Sequence, residues 1–464
     1  MSLPTPAKFR VNLTRSNISC LRDEWTSWFA QIRAADEDGR HHSRLEALEK
    51  ILHKAAGTLS EHASTLPAVA PWQPCTTTDD RTLWLRKVWD FFREKLDQRR
   101  GPAKALLDAA DEVCWSCFGP PLARAAGWSR NVAKRPPPLP YLDASFYPAT
   151  LPNERIPRGL MRDHDRAFLD EHLGTIPIPV LRLPAACLAA PWWLVLIGHE
   201  CGHQIQYALG PEGRLVTDIE DSVRALVLRE TGDDGRAEDW AAWSQELFAD
   251  LWSICTMGPS AIDAMRLLEW HTTDTMNRAR RRYPAPRVRL AFMAEVWRIW
   301  LARAGEPVPE SAELLPGIAN PEAPALPADT QTDLALVRPM AEHLLGPLPG
   351  FEFDLFKLSG REPLDFQDGG QVDLWNHDLR RGKQPFATTA PAAAFMAAAV
   401  FRFWFQEPRP APDAPDTETA ELRLQRCLNS ITACSPPGTR GPVEPELPDL
   451  GKALLENPLP ETEP

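Results

Sequence analysis

Residues 191–209 read PWWLVLIGHECGHQIQYAL, and this stretch determines how we interpret the rest of the chain. Pro191 stands where a proline favours the first turn of a helix, and Gly210 follows where a glycine favours its end. Residues 192–197 are all apolar, which is typical of a helix in a protein core. The sequence therefore predicts a core helix over 192–209, with a polar HExxH pattern following its apolar run.

The HExxH pattern brings two histidines and a glutamate together in a way that suits a metal ion. His199 and His203 are four residues apart, so on a helix both imidazoles lie on one face and can bind one Zn²⁺. Glu200 lies beside them and can reach a water molecule held by the metal. Burying two imidazoles without partners is costly, and metal binding removes that cost. The alternative interpretation is a solvent-facing polar stretch of helix.

A catalytic zinc site needs a third protein ligand, and the sequence offers one candidate segment. The extended motif with a third histidine requires Gly at 206 and His at 209, but this chain has Gln206 and Leu209. Residues 244–254 read SQELFADLWSI, in which Glu246 and Asp250 share one face of a predicted helix among apolar neighbours. A carboxylate in that setting suits a metal, and a salt-bridged pair is the alternative.

The two motifs together resemble the gluzincin class of zinc metallopeptidases, the thermolysin-like group that combines an HExxH helix with an ExxxD helix. The resemblance implies that His199, His203 and Glu246 are zinc ligands. It also implies that Glu200 is the general base and that Asp250 orients one of the histidines. The expected cofactor is Zn²⁺.

The resemblance covers residues 175–290 and sets the expected fold class. We expect a mainly α (α+β) protein with a zincin-like catalytic core, in which an extended edge strand precedes the HExxH helix and holds the substrate as an added strand. Residues 178–183 are the candidate for that strand. Two prolines within 176–183 (IPIPVLRL) confine this segment to an edge strand or an extended stretch. Helical N- and C-terminal regions flank the core.

The implied mechanism is metal-assisted hydrolysis of a peptide bond. Glu200 would accept a proton from water and pass it to the leaving nitrogen. A further donor should stabilise the oxyanion, and in this class it usually follows the helix of the third ligand. Tyr283 lies in that region, within RRRYPAPRVRL at 280–290. Arg287 and His271 are its competitors for this role.

A cluster of arginines surrounds Tyr283, and its role stays open between two interpretations. The cluster could bind a substrate carboxylate or nucleic acid. It could equally be a solvated helix end, where cations balance the helix dipole. Its members are Arg278, Arg280, Arg281, Arg282, Arg287 and Arg289.

Apolar periodicity and proline-rich stretches divide the chain into predicted regions. Short runs such as KRPPPLPYLDASFY at 134–147 separate segments with helical spacing. Helices are expected at 43–61, 80–100, 103–118, 217–230, 237–257, 260–282, 288–304, 329–345, 391–405 and 418–432. The predicted regions are a helical N-terminal domain (1–133), a linker (134–149), a zincin-like metallopeptidase domain (150–305), a second linker (306–328), a helical C-terminal region (329–434) and a disordered Pro- and acid-rich tail (435–464).

Composition restricts the cellular compartment and the kinds of partner that we expect. The 464 residues carry a net charge of −12, which argues against a nucleic-acid partner for the chain as a whole. The uncharged runs at 183–198 and 384–401 fall short of the roughly 20 apolar residues of a membrane span. The N-terminal residues lack a secretory h-region, and the nine cysteines are scattered, so we expect a cytoplasmic protein with reduced thiols. A peptide or protein is the expected partner.

Three functions are consistent with these observations. The first is an intracellular zinc endopeptidase with several substrates. The second is a highly specific regulatory or effector protease that acts on one partner protein. The third is a non-catalytic interaction protein with a structural zinc site. Replacing Glu200 distinguishes the third from the others, since a non-catalytic role would survive the change.

Overall fold

The computed structural model is mostly helical, as the sequence predicts. It describes residues 5–130, 132, 135–145, 149–151, 176, 178–210, 214–315, 326–385, 392–405, 419–434, 438, 440 and 447–456. The chain divides into two compact units. The first comprises Met1–Lys104, Leu151–Arg182 and Pro437–Pro464, and the second comprises Ala105–Thr150 and Leu183–Pro436. This division by contacts is discontinuous in sequence, whereas the predicted division runs linearly along the chain.

The first unit is built from long helices around a tryptophan-rich core. Its helices are α1 (Pro6–Ala35), α2 (His42–Ser64), α3 (Trp72–Asp97) and, from the end of the chain, α17 (Leu450–Glu456). Trp25, Trp28 and Trp89 pack edge to face between α1 and α3. Helix α17 packs on α2 and buries Leu450 and Leu454, so the prediction of a disordered tail is wrong for this helix. This segment is too short to show a clear helical spacing of apolar residues in the sequence. It forms a helix because packing against another helix buries its apolar side chains.

The second unit begins with α4 (Lys104–Trp128), which continues through Pro120 and Pro121. The sequence predicts that this helix ends at 118, because a proline lacks the N–H that an interior helical position donates. Ser116 would normally accept from the N–H of residue 120. Instead, Arg361 donates from Nη2 to the Ser116 carbonyl oxygen at 3.1 Å and so replaces the missing donor. A side chain distant in sequence therefore satisfies the carbonyl oxygen that Pro120 leaves without its usual donor.

The metal-motif stretch folds as two helical segments rather than one. Pro191–Leu196 is a 3₁₀ helix, and α5 (Ile197–Ala208) follows it directly. Helix α6 (Arg214–Thr231) and helix α7 (Asp234–Met257) then form an antiparallel pair that turns at Gly232. Gly232 has a φ of +68°, which favours glycine in this turn.

The predicted helix over 260–282 is shorter in the structure. Helix α8 (Pro259–Glu269) ends where Trp270 takes an extended backbone with ψ of 123°. Helix α9 (Thr273–Met276) and an irregular segment follow, before α10 (Pro286–Ala304) begins at a proline suited to a first turn. This break leaves residues 277–285 as a loop instead of a helix.

The rest of the second unit confirms the predicted C-terminal helices. The elements are α11 (Ser311–Leu314), α12 (Ala328–Leu344), α13 (Leu355–Ser359), α14 (Gln371–Arg380), α15 (Ala393–Phe405) and α16 (Ala420–Thr432). Helix α12 packs against α10, and α15 packs against α14 and the 3₁₀ helix at Pro191–Leu196.

The strand before the metal-motif helix is central in its sheet, not at an edge. Strands β1 (Leu139–Asp143), β2 (Ala149–Leu151) and β3 (Val180–Pro184) form a sheet in the order β1-β3-β2. The edge position predicted for residues 178–183 is therefore wrong. The two prolines on which it rested precede Val180, so they do not interrupt the ladder, and Pro184 stands at the last position of the strand.

Among the described residues, no helix combines the length and the apolar character needed to cross a membrane. All nine cysteines carry free thiols, and eight of them are buried.

Candidate metal centre

Helices α5 and α7 bring three potential ligands together. Nε2 of His199 lies 3.3 Å from one carboxylate oxygen of Glu246, and Nε2 of His203 lies 3.7 Å from the other. One ligand atom from each of the three residues lies within 4.8 Å of the others. The two imidazole rings stand nearly perpendicular, with centroids 4.9 Å apart. This His-His-Glu group could hold a metal ion.

Two glycines of the motif allow α5 to approach α7 closely. A Cβ added at Gly202 would lie 2.7 Å from the backbone Cα of Ala249, closer than real Cβ contacts come. A Cβ added at Gly198 would lie 2.9 Å from the hydroxyl of Thr256. The GHECGH sequence therefore carries its ligands on one face and a glycine contact surface on the adjacent face. That contact sets the distance between the histidines of α5 and Glu246 of α7.

Asp250 fixes the orientation of one imidazole. It lies one helical turn after Glu246 and is fully buried. His199 donates from Nδ1 to Oδ1 of Asp250 at 2.8 Å, which leaves Nε2 directed at Glu246. An imidazole held at one nitrogen by a carboxylate and presenting the other nitrogen is the usual arrangement of a metal-bound histidine.

Arg289 of α10 connects the carboxylates of this centre. Its Nε and Nη2 donate to the two oxygens of Asp250 at 2.7 and 2.8 Å, which is a bidentate pair. Its Nη1 donates to Glu269 at 3.2 Å, and its Nη2 lies 3.6 Å from Glu246. Arg289 is 3% exposed. One buried guanidinium thus contacts three carboxylates from two other helices.

The pKa values reflect this concentration of negative charge. Burial alone would lower the pKa of His199, but its hydrogen bonds to Asp250 and Glu246 outweigh burial and raise that pKa to about 10. Burial would raise the pKa of Glu246, but the positive charge of His203 and the bond from His199 lower it to about 2. Without a metal ion, His199 is therefore protonated at neutral pH, and its positive charge lies beside the ionised carboxylate of Glu246.

Glu200 and Tyr283 lie beside this cluster. Glu200 is 5% exposed and follows His199 on α5. The charge of Glu246, followed by burial and the charge of Glu200, raises the pKa of the Tyr283 phenol above its ordinary value. The guanidinium of Arg289 lies 5.8 Å from the centroid of the Tyr283 ring. Tyr283 therefore lies near the cluster, with its phenol proton retained at neutral pH.

The other two candidates from sequence have different surroundings. Arg287 donates from Nε to the side-chain oxygen of Asn277 at 2.8 Å, and burial lowers its pKa. His271 is exposed and accepts at Nδ1 from the backbone N–H of Thr272. The described contacts that join a guanidinium to the ligands belong to Arg289, two positions after Arg287.

Sequence reasoning missed the roles of Arg289 and Glu269. Arg289 was one of six clustered arginines, and its only distinguishing signal is its place between Val288 and Leu290 inside a helix. Both of those neighbours are fully buried. A charged residue flanked by core residues on a helix marks a buried ion pair, but it does not identify the partner.

Comparison with known protein families, curated proteins and solved structures gave no match for this chain. The geometry of the centre is therefore the main indication of what this chain does.

Proposed function

We propose that this chain is a zinc metallopeptidase of the gluzincin type, in which His199, His203 and Glu246 hold the metal. The observation that carries the proposal is the convergence of these three side chains on one point, with Asp250 bonded to the outer nitrogen of His199. A chance HExxH match would leave the histidines without a convergent carboxylate and without an orienting partner.

The donor set favours zinc among common metals. Two imidazole nitrogens and one carboxylate, with no thiolate in the group, are the protein ligands of many catalytic zinc sites. A site of three protein ligands keeps a position open for water or substrate. When bound, zinc supplies a Lewis acid that polarises a carbonyl group and makes water more acidic.

The residues around the metal divide the remaining work. Glu200 is the general base that takes a proton from the attacking water and delivers it to the leaving nitrogen. Tyr283, whose pKa is raised, donates its hydroxyl proton in a hydrogen bond to the developing oxyanion. Asp250 and Arg289 hold the ligands in position. The zincin-like core belongs to this proposal, and a substrate strand would add to β1 or β2, because β3 is paired on both sides.

The first test is metal content. We expect about one zinc per chain in the wild type and a loss of at least tenfold in affinity in Glu246→Ala, because two ligands hold zinc much less well than three. Glu238→Ala is the matched control, since Glu238 is on the same helix and its side chain is 65% exposed. Mass spectrometry of the purified proteins gives the answer. An absence of zinc in the wild type after reconstitution would contradict the proposal.

The second test is catalysis without loss of metal. Glu200→Gln should keep one zinc per chain and lose about 10²–10⁴-fold in kcat/KM on peptides that the wild type cleaves. A panel of unfolded proteins distinguishes a general endopeptidase, which cuts several, from a protease restricted to one partner. If Glu200→Gln retains full activity, the catalytic role of the centre is refuted, and the non-catalytic interaction protein becomes the better description.

A further inference from the structure

A tight turn presents two arginines next to the metal centre. Arg280 and Tyr283 pair backbone to backbone, with N···O distances of 2.9 and 3.0 Å, and so close a turn with two residues at its tip. Those two residues are Arg281 and Arg282, and both are exposed. The centroid of the Tyr283 ring lies 5.8 Å from the guanidinium of Arg289, which lies 3.6 Å from Glu246, so the turn stands beside the centre.

The loop at 277–285 carries four exposed arginines, and one of them has a carboxylate partner among the described residues. Arg280 pairs with Glu269 at 2.7 Å, which anchors the base of the turn to α8. Arg278, Arg281 and Arg282 are exposed, and no carboxylate in the described part of the chain lies within ion-pair distance of them. In a protein with a net charge of −12, these three exposed cations on one loop form a local positive surface.

We propose that this surface selects peptides that carry carboxylate side chains close to the scissile bond. The inference rests on the proposed function, because the metal centre is what makes the turn part of a substrate site. Arginine binds carboxylates with two parallel hydrogen bonds, so a substrate Asp or Glu would be both attracted and oriented here. The substrate class of this site is therefore an acidic peptide or protein segment.

Nucleic acid is the competing ligand for an arginine surface, and the charge count argues against it. Nucleic-acid sites commonly neutralise about 6–10 phosphates, whereas this loop offers three arginines that pair with no carboxylate among the described residues. The rest of the chain is acidic and would repel a long polyanion. Three arginines match a segment with two or three carboxylates.

The test measures ligand binding and cleavage separately on the full-length, zinc-loaded protein. Fluorescence anisotropy with Glu200→Gln gives the affinity for three labelled ten-residue peptides that differ only in having acidic, neutral or basic side chains. We expect the acidic peptide to bind about tenfold more tightly than the neutral one at low ionic strength. This difference in affinity should become smaller at about 0.5 M NaCl, because salt screens the interaction between exposed charges. Adding Arg281→Glu and Arg282→Glu should abolish that preference.

A matched double variant controls for the change in net charge. Arg229→Glu with Arg338→Glu reverses two charges whose side chains are each 68% exposed and which lie on other helices. It should keep the wild-type preference for the acidic peptide. Loss of preference in both double variants would show a general charge effect and would overturn the inference.

Hydrolysis of the same peptides by the wild type separates the two proposals. If all three peptides are cut at equal rates and bind equally, the peptidase stands and the acidic selection fails. If the acidic peptide binds preferentially but none is cut, a general endopeptidase is refuted and the ligand class stands. Tighter binding of a single-stranded oligonucleotide than of the acidic peptide, lost on reversing Arg281 and Arg282, would overturn the inference in favour of nucleic acid.

Discussion

Replacing Gly202 with alanine tests whether the contact between α5 and α7 sets the geometry of the metal centre. The added Cβ would lie 2.7 Å from the Cα of Ala249, which is backbone and cannot rotate away. Restoring ordinary van der Waals contact requires the helices to separate by about 0.7 Å, in a core that is close-packed. Metal–ligand distances tolerate only about 0.2 Å, so His203 and Glu246 would no longer fit one ion.

Two measurements report this displacement. Overpacking of this kind costs about 1–3 kcal/mol of folding stability, which thermal or urea unfolding measures. Zinc affinity, measured by competition with a chelating dye, should fall about 10–100-fold, as it does when the support of a ligand is lost. Gly198→Ala should have a smaller effect, because its closest neighbours are the side chains of Thr256 and Met257, which can adjust.

A helical glycine in open space provides the control. Gly57 lies within α2, and a Cβ added there meets nothing within 4 Å. Gly57→Ala should therefore raise stability by about 0.5–1 kcal/mol and leave zinc affinity unchanged. If Gly202→Ala binds zinc as tightly as the wild type and unfolds at the same temperature, the helix contact does not control the centre, and our reasoning about it is wrong.

Two further predictions concern the charges around the centre. Arg289→Lys should weaken zinc binding about tenfold or more, because lysine cannot make the bidentate pair with Asp250. Arg287→Lys, on the same helix, should change zinc affinity little, because Arg287 contacts Asn277. Equal losses of zinc affinity in a chelator competition would refute this distinction. In the metal-free protein, the raised pKa of His199, about 10, contributes stability that is complete below its unfolded value of 6.5 and is lost as the pH rises toward 10. The lowered pKa of Glu246, about 2, contributes stability that is complete above 4.5 and is lost as the pH falls toward 2. Both contributions are complete between pH 4.5 and 6.5, so the melting temperature of the metal-free protein should fall above that window. The melting temperature of the zinc-loaded protein, in which His199 is already deprotonated, should change much less. Parallel curves of melting temperature against pH for the two forms would contradict the assignment.

The candidate ligands could be predicted from the sequence because each belongs to a local pattern. His199 and His203 share a helix face by their spacing, and Glu246 and Asp250 do so by theirs. The structure brings the first three within 4.8 Å of one another and bonds Asp250 to His199. Helix periodicity was sufficient here, since each pattern lies inside a single element.

Features that depend on distant partners could not be predicted in this way. Arg289 and Arg287 lie on different faces of α10. Which of the two faces the carboxylates depends on how α10 packs against α7 and α8. The passage of α4 through Pro120 depends on Arg361, which is more than 200 residues away in sequence. The position of β3 inside its sheet depends on strands from an earlier segment. Tertiary contacts override local propensity in each case.

Protonation and metal binding are alternative ways to balance the charge of this centre. Arg289 contacts the carboxylates of Asp250, Glu269 and Glu246, and Arg280 also pairs with Glu269. In the metal-free protein, a proton on His199 balances the third carboxylate. A divalent ion would replace that proton at the point on which the imidazole and carboxylate atoms converge. Zinc therefore competes with a proton for His199, and because it binds the folded chain we expect it to stabilise the fold as well as to carry the proposed chemistry.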